Sequence, residues 1–265
     1  MHPMLNTAVK AARQAGNIIM RHLDRIDQLT IESKGRHDFV TEIDRNAELA
    51  IIDTIRSAYP GHAIIAEESG QQPGEDYEWI IDPLDGTTNF LHGFPQFAVS
   101  ICARKNGVLD QAVIFDPVKN ELFTASRGQG AQLNSRRMRV STVSQMSNTL
   151  LATGFPVRQP GHMDAWTKMF STILPRTSGI RRAGSAALDL AYVAVGRFDG
   201  FWEIGLHSWD MAAGCLLIQE AGGMSGDFLG GQKILESGNI IAGNPEIYPQ
   251  LLRLIGPHVT AELST

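Results

Sequence analysis

Residues 78–90 read EWIIDPLDGTTNF, an apolar run that leads straight into two acids three positions apart. Trp79, Ile80 and Ile81 offer no polar side to water, so the run reads as a strand buried in a sheet, with Asp82 and Asp85 at its end. Pro83 fixes its own φ and pushes Asp82 toward an extended conformation, and Gly86 permits a sharp turn. Both carboxylates can therefore be aimed at one point, and a fold for this chain must tolerate that. For either acid alone an Asx-type turn, with the carboxylate binding nearby backbone amides, is the alternative.

The remaining sequence can enclose such a strand. The 265 residues make one large domain or two tightly joined ones. They are 43% hydrophobic and 19% charged, with no run of about 18 apolar residues that could cross a bilayer. A membrane protein and a disordered chain are both excluded. Apolar residues recur at three- and four-residue steps from Met4 to Leu23, and again from Ile43 to Ile55 before Pro60, giving two helices separated by a loop around Lys34 to His37. Strands are expected at Ala63–Ala66 and Trp79–Ile81. An antiparallel meander should follow at Phe97–Arg104, Val108–Phe115 and Glu121–Ala125, with an Asn106-Gly107 turn.

Beyond Asn148 strands and helices alternate: strands at Leu150–Phe155, Gly179–Arg182, Phe198–Ile204 and Gly238–Ala242, and helices at Asp164–Ile173, Ala186–Val195, Trp209–Ala221 and Glu246–Ile255. The chain thus divides into an N-terminal α+β part, 1–145, and a C-terminal α/β part, 146–265. No Pro- or Ser-rich linker lies between them, so a broad interface is expected, with any shared site in the crevice.

Two further acidic sites bear on Asp82 and Asp85. Glu67 ends another apolar strand, and Asp210 opens the helix that carries Met211, Cys215 and Ile218. An acid in a helix's first turn is also favoured by the macrodipole alone. If Glu67, Asp82, Asp85 and Asp210 converge, each pair at about 4 Å repels by about 4 kcal/mol at an effective dielectric of 20, which only cations relieve. All-oxygen ligands suit Mg²⁺, and no Cys/His spacing for zinc is present. Cys102 and Cys215 lie in apolar runs and read as buried reduced thiols. The net charge of −5 argues against general affinity for nucleic acid, although the basic cluster Arg136-Arg137-Met138-Arg139 could meet an acidic partner or RNA, or be only a solvated hairpin edge. The opening residues lack the apolar stretch of a signal peptide, which points to the cytoplasm.

WIIDPLDGTTNF, taken with AEES upstream and WDMAAG downstream, resembles the inositol monophosphatase family of lithium-sensitive, Mg²⁺-dependent sugar phosphatases. The resemblance continues through GQGAQLN, AGSAALDLAYVAVGRFDGFWE and the AGG after the last acid, covers nearly the whole chain, and looks nearest to the bacterial branch, whose members also serve transcription antitermination. It implies a five-layered αβαβα sandwich, a homodimer, and two or three Mg²⁺ per subunit.

Residue by residue, Glu67, Asp82 and the main-chain carbonyl of Leu84 would hold one metal, and Asp82, Asp85 and Asp210 a second. Thr87 and Asp44 would orient and deprotonate the attacking water, with Glu67 counted among the catalytic residues; helix capping is the other reading of Asp44. Asp85, Gly86, Thr87, Gly184, Ser185, Ala186 and Asp210 would meet the substrate, Glu203 would receive an inositol hydroxyl, and Arg181 matches an arginine at the substrate's edge. Ser185 equally fits a helix N-cap, and the two roles are compatible. The loop from Lys34 to Asp38 is one residue shorter than in animal relatives, which bears on the third metal. The function implied is hydrolysis of myo-inositol 1-phosphate and related polyol phosphates. The alternatives are a sugar bisphosphate or nucleotide phosphatase, and an accessory protein that binds RNA polymerase and Nus factors.

Overall fold

The computed structural model describes residues 2–23, 31–35 and 38–264. Its helices are α1 (Pro3–His22), α2 (Glu42–Ala58), α3 (Thr87–Leu91), α4 (Met163–Ile173), α5 (Ala186–Ala194), α6 (Ser208–Glu220), α7 (Ile234–Ser237) and α8 (Tyr248–Ile255). The strands are β1 (Ile31–Gly35), β2 (Asp38–Thr41), β3 (His62–Ala66), β4 (Gly70–Gln72), β5 (Glu75–Asp85), β6 (Ala98–Lys105), β7 (Val108–Asp116), β8 (Glu121–Ser126), β9 (Gly130–Leu133), β10 (Arg136–Arg137), β11 (Leu150–Thr153), β12 (Gly179–Arg181), β13 (Gly200–Glu203), β14 (Met224–Gly226) and β15 (Ile240–Gly243).

Strands β3 to β10 make an eight-stranded sheet ordered β10-β9-β8-β7-β6-β5-β3-β4, and β11 to β15 a five-stranded sheet ordered β12-β11-β13-β15-β14. From β5 to β10 the first sheet is the expected antiparallel meander, and the Asn106-Gly107 turn has positive φ at both residues, as a tight hairpin requires. Beyond it β3 runs parallel to β5. In the second sheet β11 is parallel to both β12 and β13, and β15 is antiparallel to β13 and β14.

The layers follow from which faces are apolar. Trp79 and Ile81 of β5 enter a core shared with α1 and α2, while Ile80 between them enters the core shared with α5 and α6, the period-2 consequence of a strand buried on both faces. Helix α5 is buried at all nine positions and α6 from Asp210 to Ile218, because both lie between the two sheets; this explains why neither has a polar stripe. Outside the second sheet, α4 and α8 bury Ala165, Trp166, Met169, Leu251 and Ile255 against Trp202 and Ile241. The result is the αβαβα sandwich. The first sheet ends at Arg137 and the second begins at Leu150, and one hydrophobic cluster runs from Ile80 to Ala242 across both.

Elsewhere the structure refines the expectation. Lys34 and Gly35 lie in β1, which pairs antiparallel with β2, because a hairpin rather than an open loop connects α1 to α2; Arg36 and His37 lie outside the described residues. Phe155 falls beyond β11, and Thr87–Leu91 forms the short helix α3. Both cysteines are buried and unpaired by disulfide. Among the described residues no helix is long and apolar enough to cross a membrane.

Candidate active site

The end of β5 is built around a bulge. Asp82 pairs with Ser100 and Asp85 with Ala98, so three steps along β5 match two along β6. In a regular strand residues three apart face opposite sides of the sheet; the extra residue restores both aspartates to one side. Pro83, which has no N–H for the ladder, sits in the bulge. Leu84 N–H donates to Asp82 Oδ1 at 2.9 Å, so the Asx turn is present within the larger arrangement. Gly86 follows at φ 93°, and a Cβ there would come within 2.9 Å of the Gln96 carbonyl, which reserves the position for glycine.

Asp85 then reaches across to the second half of the chain. Its Oδ2 accepts from Ser185 Oγ at 2.5 Å and from Ala187 N–H at 2.8 Å, placing a carboxylate at the N-terminus of α5. Ser185 also caps α5 by accepting from Leu188 N–H, so capping and site contact coexist. Asp210 arrives from the first turn of α6, where its Oδ2 accepts from His207 N–H at 2.7 Å. His207 stacks on Trp209 with ring centroids 4.6 Å apart. Carboxylate oxygens of Asp82, Asp85 and Asp210 all lie within 4.8 Å of one another. Glu67 stands close enough to Asp82 to raise the pKa of its carboxyl group.

Burial and mutual repulsion hold these acids away from their ordinary ionisation. Asp82 is pushed well above the usual carboxylate range by desolvation, then by Glu67, Asp85 and Asp210. Asp85 is pushed up to about 7 by burial and by Asp210, against the Ser185 hydroxyl, the Ala187 amide and Arg158. A cation among them reverses that penalty. The donors are all oxygen, which fits magnesium.

Thr87 Oγ1 lies 3.1 Å from Oδ1 of Asp44 and 3.0 Å from the carbonyl of Leu84. Asp44 is buried on α2. One turn on, Glu48 accepts from Glu68 N–H and Ser69 N–H at 2.8 Å each and so fixes the turn that carries Glu67. Glu48 escapes a sequence reading because its partners lie 20 residues away; its only signal is its spacing of four from Asp44. Asn89, also missed, donates to the carbonyls of Gln96 and Ala183 and so ties α3 to the turn before α5.

The acids open into a cavity of about 400 Å³. It is lined by Glu67, Asp82, Leu84, Asp85, Gly86, Thr87, Gly184, Ser185, Ala186, Glu203 and Asp210, all expected site positions. Arg181 does not line it: this side chain is exposed at the end of β12, and the adjacent Arg182 lines the cavity in its place. Arg181 closes β12 and Arg182 lies just beyond it, and sequence alone does not say which of the two faces in. Gly154, Arg158 and Asp189 are further lining residues without a local sequence signal. Glu203 is pushed up to about 8, chiefly by burial, with Arg182 opposing.

The sequence model of the inositol monophosphatase family matches residues 1–260. The chain belongs to this family. Among its relatives, Nus factor SuhB of Pseudomonas aeruginosa is 53% identical, with 99% of each chain covered, and Nus factor SuhB of Escherichia coli K12 is 53% identical over 95% of each. The crystal structure of the extragenic suppressor protein SuhB from Bartonella henselae superposes with a TM-score of 0.94 at 44% identity, covering 96% of this chain and 98% of that one. An inositol monophosphatase (IMPase) structure from Thermotoga maritima superposes with a TM-score of 0.89 at 38% identity, covering 97% and 98%. The family's sandwich is therefore the fold of this chain.

Proposed function

We propose that this member of the inositol monophosphatase family hydrolyses phosphate monoesters of inositol and related polyols in a magnesium-dependent reaction. The observation that carries the reading is the meeting of Asp82, Asp85 and Asp210, from two sheets' worth of chain, within 4.8 Å beside the Thr87–Asp44 pair. Glu67, Asp82 and the Leu84 carbonyl would hold one Mg²⁺, and Asp82, Asp85 and Asp210 another. When bound, such a pair of ions supplies an activated water on one side of the phosphorus and charge stabilisation for the leaving alkoxide on the other.

The protein's own groups do the rest. With its hydrogen turned to Asp44, the Thr87 hydroxyl offers its lone pairs to the attacking water and fixes its direction; Asp44 Oδ1 then takes the proton passed through Thr87 Oγ1. Backbone N–H groups of Gly86 and Thr87, and those opening α5 at Gly184, Ser185 and Ala186, face the phosphate oxygens, with the dipole of α5 adding positive potential. Glu203 accepts a hydroxyl of the alcohol. Glu203 and Asp189 set carboxyl acceptors on the cavity wall beside Arg182, an arrangement that suits the hydroxyls of a polyol ester.

A second role is supported by the relatives' names. Nus factor SuhB at 53% identity across the chain favours a role in transcription, with RNA polymerase and Nus factors as partners. Arg136 and Arg137 form the exposed edge strand β10, a basic surface remote in the sheet order from the acids.

The test is phosphate release from myo-inositol 1-phosphate by the wild type and Glu67→Gln, with Mg²⁺ and with EDTA, beside a pull-down with RNA polymerase and Nus factors. The reading expects turnover at millimolar Mg²⁺, none in EDTA, and a severe loss in Glu67→Gln. Undiminished turnover in EDTA contradicts it, and a pull-down that survives Glu67→Gln separates the binding role from catalysis.

A further inference from the structure

Beside the acidic cluster the same cavity holds a second pair of acids, Glu203 on β13 and Asp189 on α5. Asp189 sits near the start of a helix, where an acid needs only solvent and the dipole. Yet Asp189 is 1% exposed, and its Oδ1 has no hydrogen-bond partner among the described residues. Its sequence neighbours Ala187, Leu188, Leu190 and Ala191 are fully buried apolar side chains, so packing alone would favour a leucine there. Buried polar atoms without partners are rare, and such an atom on a cavity wall points to a ligand that completes it.

The surroundings are built rather than incidental. The carboxylate of Glu203 lies over Gly154, where a Cβ would stand 1.8 Å from Oε1, so any side chain at 154 would displace it. The charge of Arg182 opposes that of both Asp189 and Glu203. Its guanidinium is set over the ring of Phe155 at 5.0 Å, and Phe155 packs edge-on against Trp166 at 5.0 Å. Acceptors from two carboxyl groups and donors from one guanidinium on one wall match adjacent hydroxyls, each of which donates and accepts.

We propose that Asp189 is a specificity-determining residue whose carboxyl group accepts a hydrogen bond from a hydroxyl of the leaving alcohol, next to the one held by Glu203, so that the cavity selects esters of vicinal polyols. The proposal rests on the phosphatase reading above and deepens it.

Steady-state kinetics of the wild type, Asp189→Asn and Asp189→Leu on myo-inositol 1-phosphate and on p-nitrophenyl phosphate, whose leaving group carries no second hydroxyl, test it. A weaker amide acceptor in Asp189→Asn, and a substrate hydroxyl left buried without an acceptor in Asp189→Leu, predict a rise in KM for the inositol ester of about 10-fold and about 100-fold respectively. In both variants kcat/KM for the aryl ester falls at least tenfold less than for the inositol ester. Equal losses on both esters, or no loss on the inositol ester, overturn the proposal. The isosteric Asn variant decides the matter should the Leu variant fail to fold. A wild type that releases phosphate from neither ester overturns the phosphatase reading itself, and this proposal with it.

Discussion

Asp85→Asn separates chemistry from folding. In the absence of metal at pH 8, the native protein holds Asp85 ionised although the site pushes its pKa from 3.8 up to about 7. Three units at 1.36 kcal/mol each make that burden about 4 kcal/mol. Asparagine keeps the shape and one acceptor oxygen for the Ser185 hydroxyl and Ala187 amide, whose favourable contacts with the carboxylate are already included in that raised pKa. The variant is therefore more stable in chelator by about 4 kcal/mol, or roughly 8–16 °C in Tm for a chain of this size. Its kcat in saturating Mg²⁺ falls about 10²–10³-fold, as expected when one preorganised stabilising group is removed. Thermal unfolding in EDTA and phosphate release in Mg²⁺ measure the two effects on the same preparation. An unfolded variant, or one fully active at saturating Mg²⁺, would show that Asp85 serves only as a turn residue linking β5 to α5.

Two further outcomes follow from the same geometry. Asp82 and Asp85 have raised pKa values, so the folded chain retains protons that the unfolded chain releases; their stabilising contribution is complete below about pH 4 and is lost as pH rises, for Asp85 through about 7. Tm in chelator should therefore be lower at pH 8 than at pH 5, and millimolar Mg²⁺ should restore it; a flat profile in chelator contradicts the clustering. Thr87→Val keeps the volume and removes the hydroxyl that meets Asp44, so kcat should fall about 10²–10⁴-fold while Thr87→Ser retains most activity; equal activity in the two variants would remove Thr87 from the water-orienting role.

Patterns confined to a few residues of chain were legible in the sequence. The helices α1, α2 and α6 and the strands β6 and β7 begin and end within a few residues of their expected positions, because apolar spacing and turn chemistry are local. That Asp82 and Asp85 could be aimed at one point was read from Pro83 and Gly86, whereas the β-bulge that turns them to one side depends on pairing with β6 and was not. What stayed hidden depends on partners distant in sequence. Glu48 looks like an ordinary helix glutamate until it meets the amides of Glu68 and Ser69. Arg182 differs from Arg181 only by the direction its position faces. Asp189 reads as a first-turn acid until its burial beside Glu203 is seen. The short strands β1, β4 and β14 carry too few residues to show an alternation.

The central claim is that Asp82, Asp85 and Asp210 form a divalent-metal centre at the end of β5. A crystal grown with Mn²⁺ and phosphate, measured at the manganese edge, tests it most directly. The account predicts anomalous peaks at about 2.0–2.3 Å from carboxylate oxygens of these three residues, with phosphate bound between the metal and the N-terminus of α5. Full-occupancy manganese elsewhere, with the three carboxylates bare, would contradict it.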